Sequence, residues 1–322
     1  MTDCQPESSY LATPDFLANS LYYLTIIETP VVGYGGYCIL FKTPKEMSSV
    51  KLLMACLHGI TAVSDLVISC FSVPYIVLPA MAGHGLGVFD APGLMHYLLI
   101  TSLSGVAAMI VAIYENRYFT LFGWKTWWRH ARKPVLLTMY IMVPLCFLPP
   151  YFDVPDQEFA REQVSLALPC LPAFTYNNRP MYVLALSYAL PCIGLAIGVA
   201  CVGVLIAVFF WLIVWNIFKK RAISISLRTQ RIQKSFAIAF SVQSAFLLIA
   251  LLVPVIIALT VIFIWYHNQA LNNLIFIILS LHGIGSTIVM ILVHRPYREF
   301  TISRFCCFRK VPRISGIIST AM

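Results

Sequence analysis

Seven stretches of this chain are apolar for long enough to cross a lipid bilayer, and nothing else in it constrains the fold as tightly. They are Phe16–Phe41, Leu52–Ala82, Leu94–Tyr114, Pro134–Phe152, Met181–Phe218, Phe236–Ile264 and Asn272–Val293. A helix of about 20 residues spans a hydrocarbon layer roughly 30 Å thick. The chain is 60% hydrophobic and 11% charged, whereas ordinary soluble domains carry roughly 25% charged residues. Alternation of the barrel type is absent, so helices are what satisfies every backbone group in lipid. The expectation is an all-α membrane protein, a seven-transmembrane helix bundle. The fifth run is overlong and is expected to tilt or to extend beyond the bilayer. Pro74, Pro79, Pro144, Pro191 and Pro254 read as bilayer prolines whose freed carbonyls are re-satisfied by neighbouring groups.

Charge sets the orientation. Twenty of the 22 Lys and Arg residues lie in 42–51, 115–133, 219–235 and 294–322, and only Arg161 and Arg179 lie on the other face. Cationic loops stay cytoplasmic, so the N-terminus is expected outside and the C-terminus in the cytoplasm. This divides the chain into an extracellular segment 1–15, a transmembrane domain 16–293 and a cytoplasmic tail 294–322. The first fifteen residues carry Asp3, Glu7 and Asp15 but no Lys or Arg, so the first span is expected to act as its own insertion signal. The net charge of +9 is then topological. It places basic loops beside anionic membrane lipid rather than pointing to a nucleic acid.

Two acids interrupt the spans, Glu28 in the first and Asp65 in the second. An acid at mid-helix costs roughly 2.5–3.5 kcal/mol on insertion scales, which the apolar remainder of its span outweighs. Such a side chain faces the bundle. Asp65 reads equally as a polar interhelical contact or as an ion or switch site, and Glu28, placed nearer the outer face, as a polar contact. His58 shares a helix face with Asp65, and His282 lies in the seventh run. A catalytic zinc needs about three close protein ligands, and no HxxxH pair or similar cluster supplies them. A retinal Schiff base needs a span lysine, and no span has one. Neither a cofactor nor an enzymatic activity is expected.

The cysteines carry no CxxC motif. Those within spans read as packing residues. Cys4 and Cys170 are the outer-side candidates for a disulfide, and Cys306 and Cys307, just past the inner surface, suit palmitoylation. The inner rim is patterned as well. Span 3 leaves as AIYENRYF with Glu115 and Arg117, span 6 enters through SLRTQRIQKSF with Arg228, Arg231 and Lys234 on one stripe, and span 7 leaves as HRPYREF. Snorkelling and orientation account for the charge but not for the Pro-Tyr-Arg setting. Pro296 lacks an N–H and disfavours helix at Arg295, so helix 7 is expected to break there. The following REFTISRFCCF is expected to form a short interfacial helix, with Phe300, Phe305 and Phe308 toward lipid and Arg298 and Arg304 toward headgroups.

GYCILFKTPKEMSSVK at 36–51, ENRY at 115–118, RTQRIQKSF and HRPYREF together resemble the nematode seven-helix chemoreceptors of serpentine receptor class H. The resemblance covers roughly residues 30 to 300. It implies a G-protein-coupled chemosensory receptor at the plasma membrane, in the sensory cilium of a chemosensory neuron. Its partners would be a heterotrimeric G protein and an unidentified small external molecule. Glu115, Arg117, Arg228, Arg231, Lys234, Tyr297 and Arg298 would then form the coupling surface. Arg117 would take the place of the arginine in the Asp/Glu-Arg-Tyr element of rhodopsin-like receptors, Asp65 that of their span-2 acid and Pro254 that of their span-6 proline. Asn116 interrupts the Glu-Arg adjacency, span 7 lacks Asn-Pro-x-x-Tyr, and APGLMHY at the start of span 3 has no cysteine. A transporter or ligand-gated channel is the rival class. Transporters usually show internal repeats and broken helix pairs, and no repeat is visible between the halves.

Overall fold

The structure is a computed structural model and describes residues 9–168, 175–176, 179–218 and 227–305. Seven helical spans are long and apolar enough to cross a membrane, at Pro14–Lys42, Val50–Ser72, Pro92–Leu121, Trp128–Phe152, Ala189–Asn216, Ala237–Phe263 and Gln269–Val293. Helix α1 (Pro14–Lys42) starts where the Thr13 hydroxyl accepts the Phe16 N–H, with Pro14 in its first turn and Asp15 against the positive helix end. Helix α2 (Ser48–Leu66) continues as a π-helical turn over Val67–Ser72.

Here the sequence reading needs correction. The second run was expected to stay helical to Ala82, but residues 74–85 form an antiparallel hairpin of β1 (Pro74–Ile76) and β2 (Met81–Gly85). Val73, fully buried at φ 43°, makes the left-handed step from helix to strand. Pro74 and Pro79 therefore belong to a cap over one end of the bundle, the end predicted to face outside, and not to a bilayer helix. Gly83 is required there, because a Cβ would collide with the Tyr75 carbonyl of the facing strand.

Helix α3 (Pro92–Leu121) passes through the middle of the bundle and runs two turns beyond the expected Tyr114. Helix α4 (Trp128–Leu145) is peripheral and buries no residue. After the single turn α5 (Pro149–Phe152), α6 (Gln157–Ala167) and the short strands β3 (Thr175–Tyr176), β4 (Arg179–Pro180) and β5 (Tyr182–Ala185) form the outer connection. The overlong fifth run is thus a strand followed by α7 (Ala189–Phe218), which at 30 residues is still longer than the roughly 20 needed to cross a bilayer.

Strand β5 pairs with β2, giving a sheet in the order β1-β2-β5. Gln157 acts as an extra pairing residue, donating to the Val183 carbonyl (2.9 Å) and accepting its N–H (3.0 Å). Ala160 and Val164 of α6 bury Ala82, Met181 and Val183 on one face. The hairpin is tied to the bundle by Tyr75, which donates to the Ala12 carbonyl (2.9 Å), and by His267, which donates to the Leu78 carbonyl (2.7 Å).

Helix α8 (Leu227–Phe263) contains Pro254. The seventh span is two helices, α9 (Gln269–Ser280) and α10 (His282–Val293), meeting at Leu281. His294 is extended (φ −81°, ψ 108°), and α11 (Arg295–Phe305) follows it. The expected break at HRPYREF is present. Phe300 is not turned to lipid as expected. Its ring lies 6.1 Å from that of Tyr37 on α1, with the Lys42 ammonium 4.5 Å above it. Phe308, Cys4, Cys170, Cys306 and Cys307 lie outside the described residues.

Candidate functional site: a buried polar line through the bundle

The two acids of the spans meet. Asp65 and Glu28 are both buried, on α2 and α1, and both face the first turn of α10. A Cβ placed on Gly283 would coincide with an Asp65 carboxylate oxygen and sit 2.8 Å from Glu28 Oε1. The glycine at 283 is what lets two carboxyl groups approach a helix backbone. The sequence reading separated these acids by depth. It missed their meeting because contacts between helices leave no local pattern.

His282, fully buried, completes the cluster. Its Nδ1 lies 2.8 Å from Asp65 Oδ1 and also 2.8 Å from the Leu279 carbonyl. A carbonyl only accepts, so Nδ1 carries the hydrogen, and that one N–H cannot fully satisfy both oxygens. His58 stands apart, with its Nε2 2.9 Å from the Val32 carbonyl. The described residues hold no group of three His, Cys, Asp or Glu arranged to bind a metal ion.

From His282 a polar stripe runs down α10 at four-residue intervals to Ser286 and, beyond Met290, to His294. Gln243 on α8 bridges the gap, donating to Ser286 Oγ (3.4 Å) and accepting from His294 Nε2 (3.3 Å). Burial, reinforced by the Arg117 charge, pushes the His294 imidazole down to about 4, so the ring is neutral at pH 7. Arg117 is itself buried near the inner end of α3. Ser286, one turn from His282, is therefore joined through Gln243 to His294, which lies close enough to Arg117 to feel its charge.

The other inner-rim residues fall into three groups. Glu115 is buried and does not pair with Arg117. It accepts from Trp128 Nε1 (2.7 Å) and Arg132 Nη2 (2.9 Å), joining α3 to α4. Tyr297 is fully buried, and its hydroxyl donates to Thr43 Oγ1 (2.8 Å), since the Thr43 hydrogen already goes to the Ile39 carbonyl. Arg298 is exposed and donates from Nη1 to the Leu292 carbonyl (3.0 Å). That carbonyl is the one Pro296, lacking an N–H, leaves unpaired. The Pro-Tyr-Arg setting is thus a helix terminus: a break, a pin to α1 and a side-chain cap. Arg228, Arg231 and Lys234 lie in the first turns of α8.

At the end of the bundle predicted to face outside, a recess of about 330 Å³ lies between the end of the fourth span and the start of the fifth, lined by Pro150, Asp153, Val154, Pro155, Ala185, Leu186, Ser187 and Leu190.

This architecture is that of a seven-helix receptor. Squid rhodopsin in its crystal structure superposes with a TM-score of 0.63 over 94% of this chain and 89% of that one, at 14% identity. The model of the serpentine seven-helix G-protein-coupled chemoreceptors called Srh matches residues 12–307, and the chain belongs to that family. Serpentine receptor class H-72 of Caenorhabditis elegans is 25% identical over the whole chain and 94% of its own length.

Proposed function

We propose that this receptor binds a small external molecule in its outer half and passes the signal to a heterotrimeric G protein at its inner rim. The observation that carries the reading is the buried line from Asp65 and His282 through Ser286, Gln243 and His294 to Arg117. It joins α2, α10, α8 and α3, the helices whose relative displacement would open an inner surface. A buried Arg117 and a pinned Tyr297 describe a closed inner rim, and ligand binding would shift the bundle toward an arrangement that exposes Arg117. Exposed Arg298, with the first turns of α8, would complete the docking surface. Glu115 contributes by holding the inner end of α4 against α3. The outer recess approaches the usual size of small-molecule sites, roughly 300–1,000 Å³, and belongs to the binding half.

This reading requires the N-terminus to be outside, as the cation distribution predicts. An epitope placed before Asp15 is expected to stain on intact cells, and one after Met322 only after permeabilisation. The opposite staining pattern would overturn both the orientation and the coupling surface. Delivery to the plasma membrane, and by family to a sensory cilium, is read out in the same staining.

A further inference from the structure

The acid pair has more acceptors than its surroundings can fill. Glu28 Oε1, both Asp65 oxygens and His282 Nε2 are buried without a well-aligned hydrogen bond among the described residues. Among the described residues, the only hydrogens close to the carboxyl groups are the His282 Nδ1–H shared with Leu279 and the first-turn N–H groups of Gly283 and Ile284. Two oxygens of facing carboxyl groups can hydrogen-bond only if a hydrogen lies between them. Two ionised carboxylates in contact repel, and burial strengthens the repulsion because the local dielectric is low.

Among the described residues no lysine or arginine offsets them. Span 6 carries no ionisable group between Ala237 and Phe263, α3 none between Tyr97 and Tyr114, and α9 and α10 none except His282. On α2 the neighbouring His58 is engaged with Val32, and Cys70 is a thiol. Tyr22 and Tyr34 are the nearest inward ionisable groups on α1, paired with the Leu86 carbonyl and with Thr301. The residues are also not arranged to converge on a metal ion. The missing positive charge is a proton.

We infer that Glu28, Asp65 and His282 form a proton-binding site, in which one proton is held between the two carboxyl groups. Protonated Glu28 donates to ionised Asp65, or the reverse, and the His282 Nδ1–H and the two first-turn N–H groups support the shared negative charge. Releasing the proton to water leaves two carboxylates in contact, which must separate. Because the Asp65 carboxylate occupies the space beside Gly283, separation displaces the first turn of α10 and with it the stripe that ends at His294. The proton is thus a ligand of the bundle in its own right, whichever small molecule the outer half binds.

Infrared spectroscopy of the purified full-length receptor in micelles of an ester-free detergent tests this without a G protein or an agonist. At pH 7.5 the solvent-facing acids are carboxylates, so a carboxylic-acid C=O band reports a proton held in the protein. The wild-type receptor is expected to show such a band, with an amplitude of one group per molecule, in sodium and in choline buffer alike. Glu28→Gln and Asp65→Asn each replace the shared proton by an amide N–H donor of the same shape, so each is expected to fold and to lose the band. Absence of the band in the wild type, or its persistence in both variants, would overturn the proposal. A wild-type band present in choline and abolished by sodium would also overturn it, because the site would then be a sodium site. The wild-type measurements alone decide the question if either variant fails to fold.

Discussion

Gly283→Ala is expected to abolish delivery of folded receptor to the cell surface. The added Cβ would occupy the position of an Asp65 carboxylate oxygen, 2.6 Å from Asp65 Cγ and 2.8 Å from Glu28 Oε1. Neither neighbour can yield cheaply, because both are buried between α1, α2 and α10. Overpacking a tight interior typically costs 1–3 kcal/mol, and about that much again follows if buried carboxyl groups lose their N–H donors. Against a total stability on the order of 5–15 kcal/mol, that loss is large. Gly33→Ala is the matched control, since a Cβ there meets nothing within 4 Å; it is expected to leave surface staining unchanged. Asp65→Ala, which vacates the contested space, is expected to restore part of the surface signal to Gly283→Ala. Normal surface levels of Gly283→Ala would show that the two carboxyl groups do not sit against α10.

The second large effect is on signalling. Arg117→Ala is expected to reduce receptor-stimulated nucleotide exchange at least tenfold while leaving ligand affinity near its wild-type value. Arg117 lies near the C-terminal end of α3, at the opposite end of the bundle from the recess, so contacts to a ligand in the proposed binding half would be untouched. Its removal deletes the charge at the end of the buried line beside His294. Arg298→Ala is expected to lower exchange as well, by a smaller factor. It uncaps the Leu292 carbonyl and loosens the break between α10 and α11, while Tyr297 still holds α11 to α1. Were the arginines only orientation anchors, both variants would lose surface expression and keep normal exchange per delivered receptor. Surface staining and exchange measured on the same cells separate the two cases.

Much of this architecture is legible in the sequence because lipid imposes so few solutions. Seven apolar runs give seven spans, and Pro296 gives the break before α11 for the physical reason that it removes one donor. The hairpin at 74–85 was not legible as a hairpin. VPYIVLPAMAG is a short apolar stretch, and apolarity alone does not distinguish a buried strand from a helix. Its β-branched residues bounded by Pro79, Gly83 and Gly85 are the signal that favoured strand. The same ambiguity merged β5 with α7. The break at Leu281 carries no proline, and its nearest glycine, Gly283, acts by admitting a carboxyl group from another helix.

Individual site residues divide the same way. That Glu28 and Asp65 face the bundle follows from the cost of an acid in lipid, but that they touch depends on how α1, α2 and α10 are assembled. Arg298 was legible as a residue needing explanation. Its partner, Leu292, becomes visible once Pro296 is seen to free the carbonyl four residues before it.

Nucleotide exchange separates a G-protein-coupled receptor from a channel. Membranes containing the full chain and a heterotrimeric G protein, exposed in turn to a panel of volatile and water-soluble small molecules, are expected to show stimulated exchange with at least one compound. The same compound is expected to stimulate exchange at least tenfold less in membranes carrying Arg117→Ala at equal surface density. Ion current evoked by that compound in the absence of any G protein, with no stimulated exchange in its presence, would contradict the account and make the protein a channel.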